Sequence, residues 1–203
     1  MTEMEFDAKQ SDLLRTLCKE WNAAEKAIKI AEKASVEFNS PAILELRYAG
    51  RKIIEFISLI EIPDPTIEAE AKLQDAICDC HRARHDATDH ATTEITLRLD
   101  AARRQFGNRS IREIFPEYAE LKADLANVRE IVSNSREDRN GRARFYSKLE
   151  QEELPRIMKL YERFLVVEVE LEKDWIWRFL KGLGSSIGWI IAIILSFSLW
   201  YYS

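Results

Sequence analysis

Apolar residues recur three and four positions apart along almost the whole chain, a spacing that predicts helices rather than strands. A first helix is expected from about Phe6 to Phe38, with Leu14, Leu17, Trp21, Ala24, Ile28, Ala31, Ser35 and Phe38 on one seam. Ser40 caps a second helix, with Pro41 at its first position, where a missing N–H matters least. Its apolar face carries Ile43, Leu46, Gly50, Ile53, Ile57 and Ile60, and Gly50 in that row marks a close helix crossing. Residues 62–66, Ile-Pro-Asp-Pro-Thr, read as a rigid loop. A third helix follows from about Pro65 to Phe106 and stops at Gly107-Asn108. Unbroken it would be about 60 Å long, enough to admit a kink.

Ser110 and Glu113 have the spacing of a capping box for a fourth helix, with Ile114, Tyr118, Leu121, Leu125, Val128 and Val132 as its seam. Residues 133–144 form a polar linker around Asn140-Gly141. Pro155 opens or kinks a last helix with Ile157, Leu160, Phe164, Val167 and Leu171 on its inner face. Val166–Leu171 also alternates as a strand would, but no partner strand is evident, so helix is the expectation. The chain has no internal repeat. The predicted fold class is all-α: an elongated antiparallel helical bundle with a C-terminal single-pass transmembrane helix.

Composition agrees with helices. Among 203 residues, 46% are hydrophobic and 32% charged, with only 6 Gly and 5 Pro. That excludes a disordered or fibrous chain and leaves room for one domain or two small ones. The net charge of −5 argues against a general nucleic-acid coat. Three cysteines, an odd number, imply no disulfide framework and a reducing compartment.

The C-terminus carries the transmembrane expectation. No charge follows Lys181, leaving 22 uncharged residues from Gly182 to Ser203. At 1.5 Å per residue they would span roughly the 30 Å of a hydrocarbon core. Trp175 and Trp177 precede the stretch, and Trp200, Tyr201 and Tyr202 close it, as two aromatic belts would. Arg178 and Lys181 flank one side only, which places the N-terminal part in the cytoplasm, at a bacterial inner membrane. The acidic N-terminus lacks the apolar core of a signal peptide. The expected domains are therefore a cytoplasmic bundle, 1–174, and an anchor, 175–203, with the lipid bilayer as partner. Gly184, Gly188, Ala192 and Ser196 form a small-residue stripe suited to helix packing, and a homo-oligomer is expected.

Chemistry-bearing residues concentrate between Cys78 and His90, which hold all three histidines and two of the three cysteines. Cys78, His81, His85 and Asp89 share one face of the third helix, as a metal set would. No second ligand pair exists elsewhere, so neither metal nor cofactor is implied. Arg84 sits on the apolar seam of Leu73, Ile77, Cys80, Ala87, Ala91 and Ile95, where a buried guanidinium needs a partner or a task. Arg136, Arg139, Arg142 and Arg144 form a basic cluster broken by Glu137 and Asp138, read as a solvated linker, with contact to anionic lipid or RNA as the alternative. Arg47 and Arg51 are expected to pair with acids of the first or third helix.

Arg84 and, six residues on, His90 resemble the Arg-x4–6-His motif of the HEPN superfamily of small all-α proteins. The resemblance covers a helical region of roughly 100 residues and rests on those two positions. It implies catalytic roles for Arg84 and His90 on RNA, without metal, at a dimer interface. It also implies company with CRISPR-accessory and phage-defence effectors. Expected functions are thus a membrane-anchored helical protein acting by self-association, a tethered HEPN-type ribonuclease, or a scaffold for a protein partner of a defence system.

Overall fold

In the computed structural model the backbone is described for residues 6–35, 40–60, 66–137 and 142–201. Side chains are described up to Lys181, apart from those of 66, 136, 142, 143 and 179. The described chain is an all-α helical bundle, nearly all helix, with no strand among the described residues. Its elements are α1 (Ala8–Ala34), α2 (Ser40–Ile60), α3 (Thr66–Phe106), α4 (Asn108–Ile114), α5 (Tyr118–Glu137), α6 (Arg142–Lys148), a π-helical turn (Leu149–Glu153) and α7 (Leu154–Tyr201). They form two compact units. One comprises Met1–Arg98 with Asp124–Met158, and the other Leu99–Ala123 with Lys159–Ser203.

In the first unit, Asp7 opens α1 with a capping box: its side chain accepts from the Gln10 N–H at 2.7 Å, and Gln10 accepts from the Asp7 N–H. The helix ends at Ala34, short of the expected Phe38, which lies outside the described residues. α2 buries Ala42, Ala49 and Phe56. Leu46, Ile53 and Ile60 of the expected row pack against the same core, but its centre falls on Ala42, Ala49 and Phe56, and Ile57 is exposed. A methyl on Gly50 would lie 3.8 Å from Trp21, an ordinary contact, so Gly50 is no close crossing. α3 runs unbroken for 41 residues. Its fully buried positions in this unit include Ala69, Leu73, Ala76, Cys80, Ala83, Ala87 and Ala91. Alanines at these positions keep the helix thin, so that neighbours approach its backbone closely. Leu17, Phe56 and Leu73 centre a core built on α1, α2 and α3.

Arg51 pairs along its own helix with Glu55 at 3.2 Å, and Arg47 is exposed; the expected bridges from these arginines to α1 or α3 are absent among the described contacts. Charges do link α2 to α3, in both senses: Lys72 of α3 donates to Glu55 at 2.8 Å, and Lys52 of α2 lies 3.7 Å from Asp75.

The last helical stretch begins at Arg142, well before Pro155. The π turn lies directly ahead of Pro155, and the Leu154 N–H bonds back to the Leu149 carbonyl. A proline lacks the N–H for the usual i−4 bond and its ring crowds that carbonyl, so a widened turn lets the helix pass. α5 continues to Glu137, which shortens the expected linker; residues 138–141 lie outside the described residues.

In the second unit, Gly107 ends α3 with φ of 80°, a conformation costly for other residues. α4 begins at Asn108 with no side-chain cap, so Ser110 lies inside it and Glu113 pairs with Arg109 at 2.9 Å instead of closing a capping box. Phe115, its φ of −124° and ψ of 84° outside the helical range before Pro116, separates α4 from α5. Phe115 packs on Phe164 of α7 with ring centres 5.8 Å apart, and Tyr118 is buried. Residues 166–171 are helical, as expected.

The single-pass membrane expectation is corrected. Among the described residues no helix is long and apolar enough to cross a membrane. The described part of α7 is interrupted by Glu168, Glu170, Glu172, Lys173, Asp174, Arg178 and Lys181, each costly in hydrocarbon. The single-pass placement in an inner membrane is corrected with it. The side chains of Gly184, Gly188, Ala192, Ser196, Trp200, Tyr201 and Tyr202 lie outside the described residues. Trp175 and Trp177 are exposed, and Arg178 pairs with Asp174 one turn earlier at 2.8 Å. Lys181 is exposed.

Candidate functional site

The polar centre of the first unit is built by α1, α3 and the π turn. Burial of Ala83 and Ala87 aims the neighbouring Arg84 along the rim of the α3 seam, and its side chain is only 13% exposed. Two acids meet it from distant parts of the chain. Its Nε donates to Glu150 Oε1 at 3.1 Å and its Nη2 to Glu150 Oε2 at 2.6 Å, a two-pronged pair. Its Nη1 donates to Glu20 of α1. The π turn is what presents Glu150 here. Burial works against the guanidinium charge, but Glu150 and then Glu20 outweigh it, so the net shift of its pKa is upward.

His81 lies one turn earlier, its Nδ1 3.6 Å from Glu20 Oε2. Burial lowers its pKa below the ordinary 6.5, against the pull of Glu20, so it is neutral at pH 7. These groups and the lysines Lys19 and Lys26 of α1 line an open cavity of about 350 Å³. Next along α3, His85 stacks on Tyr146 of α6 with ring centres 3.6 Å apart. The Tyr146 hydroxyl donates to Asp89 Oδ1 at 3.2 Å.

These contacts dissolve the metal face. Asp89 accepts from Tyr146, His85 lies against an aromatic ring, and Cys78 is exposed. Among the described residues no group of three His, Cys, Asp or Glu could hold a metal ion. Cys80 is buried, and burial first, with nearby Asp79 and Glu20, pushes its thiol up to about 12.

Arg84 and His90 do not converge within the chain. Six residues along a helix separate them by about 9 Å and 120° of rotation. His90 Nε2 is buried without a hydrogen-bond partner. Of the basic cluster, Arg144 is exposed and lies over the Phe145 ring at 5.6 Å; the side chains of Arg136, Arg139 and Arg142 lie outside the described residues.

Sequence reasoning missed Glu20, Glu150 and Tyr146. Glu20 and Glu150 sit 64 and 66 residues from Arg84, beyond any local spacing rule. One signal was available for Glu20: it falls between Leu17 and Ala24 on the inner face of α1. No family model, curated protein or solved structure matches the chain.

Proposed function

We propose that the chain is a self-associating helical module in which Arg84 is a structural pin rather than a catalytic group. The observation that carries this reading is the closure of the guanidinium by two carboxylates from different elements. A guanidinium meant for a scissile phosphate needs free donors facing the substrate, and stripping two acids from a buried Arg costs several kcal/mol. Apolar side chains left outside support association: Leu44, Tyr48 and Ile54 on α2, and Val166, Val169, Ile176 and Leu180 on α7.

A ribonuclease of HEPN type is the second reading, favoured by one observation, the buried His90 Nε2 that has no partner within the chain. The defence setting rests on the same Arg84–His90 resemblance.

Sedimentation of the full chain, run beside cleavage of single-stranded RNA without metal, tests both readings. An oligomer that leaves RNA intact, with Arg84→Ala lowering the melting temperature and His90→Ala nearly silent, is the expected result. Cleavage abolished by both substitutions with folding retained would make the pair catalytic. A monomer without cleavage would leave a scaffold for a partner protein.

A further inference from the structure

Over its described side chains α7 carries two apolar faces, one buried and one exposed. Phe164 and Leu171 turn inward and are buried. On the opposite side Val166, Val169, Ile176 and Leu180 are 49–69% exposed. Their spacing, with exposed Lys173 between, is three, four, three and four, the a/d period of a coiled coil. An outward stripe with that period is shaped for another helix lying along it, not for a small ligand.

From this stripe we infer that α7 pairs in parallel and in register with α7 of a second copy. The inference rests on the self-association reading and names its surface. Three features select a second copy. First, Val166, Lys173 and Leu180 fall at a, and Val169 and Ile176 at d. A charged residue at one a position among apolar ones is a device that fixes register and favours two strands. Second, in a parallel pair the hole that receives an a residue is walled by the partner's preceding g residue. For Lys173 that is Glu172 of the partner subunit, so two-fold symmetry creates two Lys–Glu contacts. Lys173 and Glu172 are both exposed within one chain, so both are open to this pairing. Third, length suffices. Charged Lys159 and Glu162 occupy the preceding a and d positions and mark the start of the stripe. The helix backbone continues to Tyr201, and the same register in the sequence falls on Leu183, Ile187, Ile190, Ile194 and Phe197. That is more than the three or four heptads a stable coiled coil calls for.

The test uses the full chain. Ile176→Cys should form an intermolecular disulfide on mild oxidation, and Lys181→Cys, about 100° round the helix from Leu180, should not. Lys173→Glu should raise the dimer dissociation constant roughly ten-fold or more, because it sets acid against acid. Adding Glu172→Lys to it should restore dimerisation. Circular dichroism verifies that each variant stays helical. A dimer that neither cross-links through Ile176→Cys nor responds to Lys173→Glu would overturn this interface while leaving self-association standing. A chain that sediments as a monomer would overturn both.

Discussion

Arg84 of α3 and Glu150 of the π turn are joined by two parallel hydrogen bonds, 3.1 and 2.6 Å long. The π turn exists because Pro155 follows it, so a proline contributes to the placement of the acid that holds a buried arginine 66 residues away. Glu20 completes the arrangement from α1. Three elements of one unit are thereby set in register by a single guanidinium.

Arg84→Ala should lower stability by about 3–5 kcal/mol, since it leaves two carboxylates facing each other in a partly buried site. Thermal unfolding should show a melting loss of roughly 10 °C for a chain of this size. Replacing the three charges together, Arg84→Met with Glu20→Leu and Glu150→Leu, should recover most of the loss, because no unpaired charge remains. If the triple variant melts as low as the single one, the ion pairs hold more than their own desolvation cost.

Stability should fall as pH drops below about 6.5. His81 has a folded pKa below its ordinary 6.5, burial being the first cause, so the unfolded chain takes up its proton first. The contribution is complete above 6.5 and is lost as pH falls through the lower folded value. Glu20, Arg84 and Glu150 face this histidine. His81→Gln should flatten the dependence of melting temperature on pH between 7 and the acid range; an unchanged slope would assign it to another group.

Gly50→Ala should be stabilising. The new methyl meets Trp21 at 3.8 Å, ordinary van der Waals contact, and alanine favours the helix by about 0.8–1 kcal/mol over glycine. Chemical denaturation should show a higher midpoint with an unchanged slope. A loss would return Gly50 to the role of a crossing point.

Alkylation should separate the three thiols. Cys18 and Cys78 are exposed, while Cys80 is buried with its thiol pushed up to about 12. Mass spectrometry of the native chain treated with iodoacetamide at pH 8 should find Cys18 and Cys78 modified and Cys80 protected. Cys80 should react only after unfolding.

The helices were legible in the sequence because each is a local device. The three-four spacing of apolar residues, the Gly107 stop and the exclusion of strand at Val166–Leu171 need only neighbours along the chain. Arg84 stood out for the same reason, as a charge on an apolar seam. Tertiary structure decided the rest. α2 offered Ile43 and Ile57 as readily as Ala42, Ala49 and Phe56, and packing centred the core on the latter, with Leu46, Ile53 and Ile60 beside them, because Phe56 fills the core between α1 and α3 while small Ala42 and Ala49 permit close approach. The metal face of Cys78, His81, His85 and Asp89 was consistent as a helical wheel, yet Tyr146 from far along the chain stacks on one member and bonds another. Arg84 announced only its need for a partner; Glu20 and Glu150 were named by the fold, since a buried charge is satisfied by whichever opposite charges packing brings within about 3 Å, and sequence distance carries no information about that.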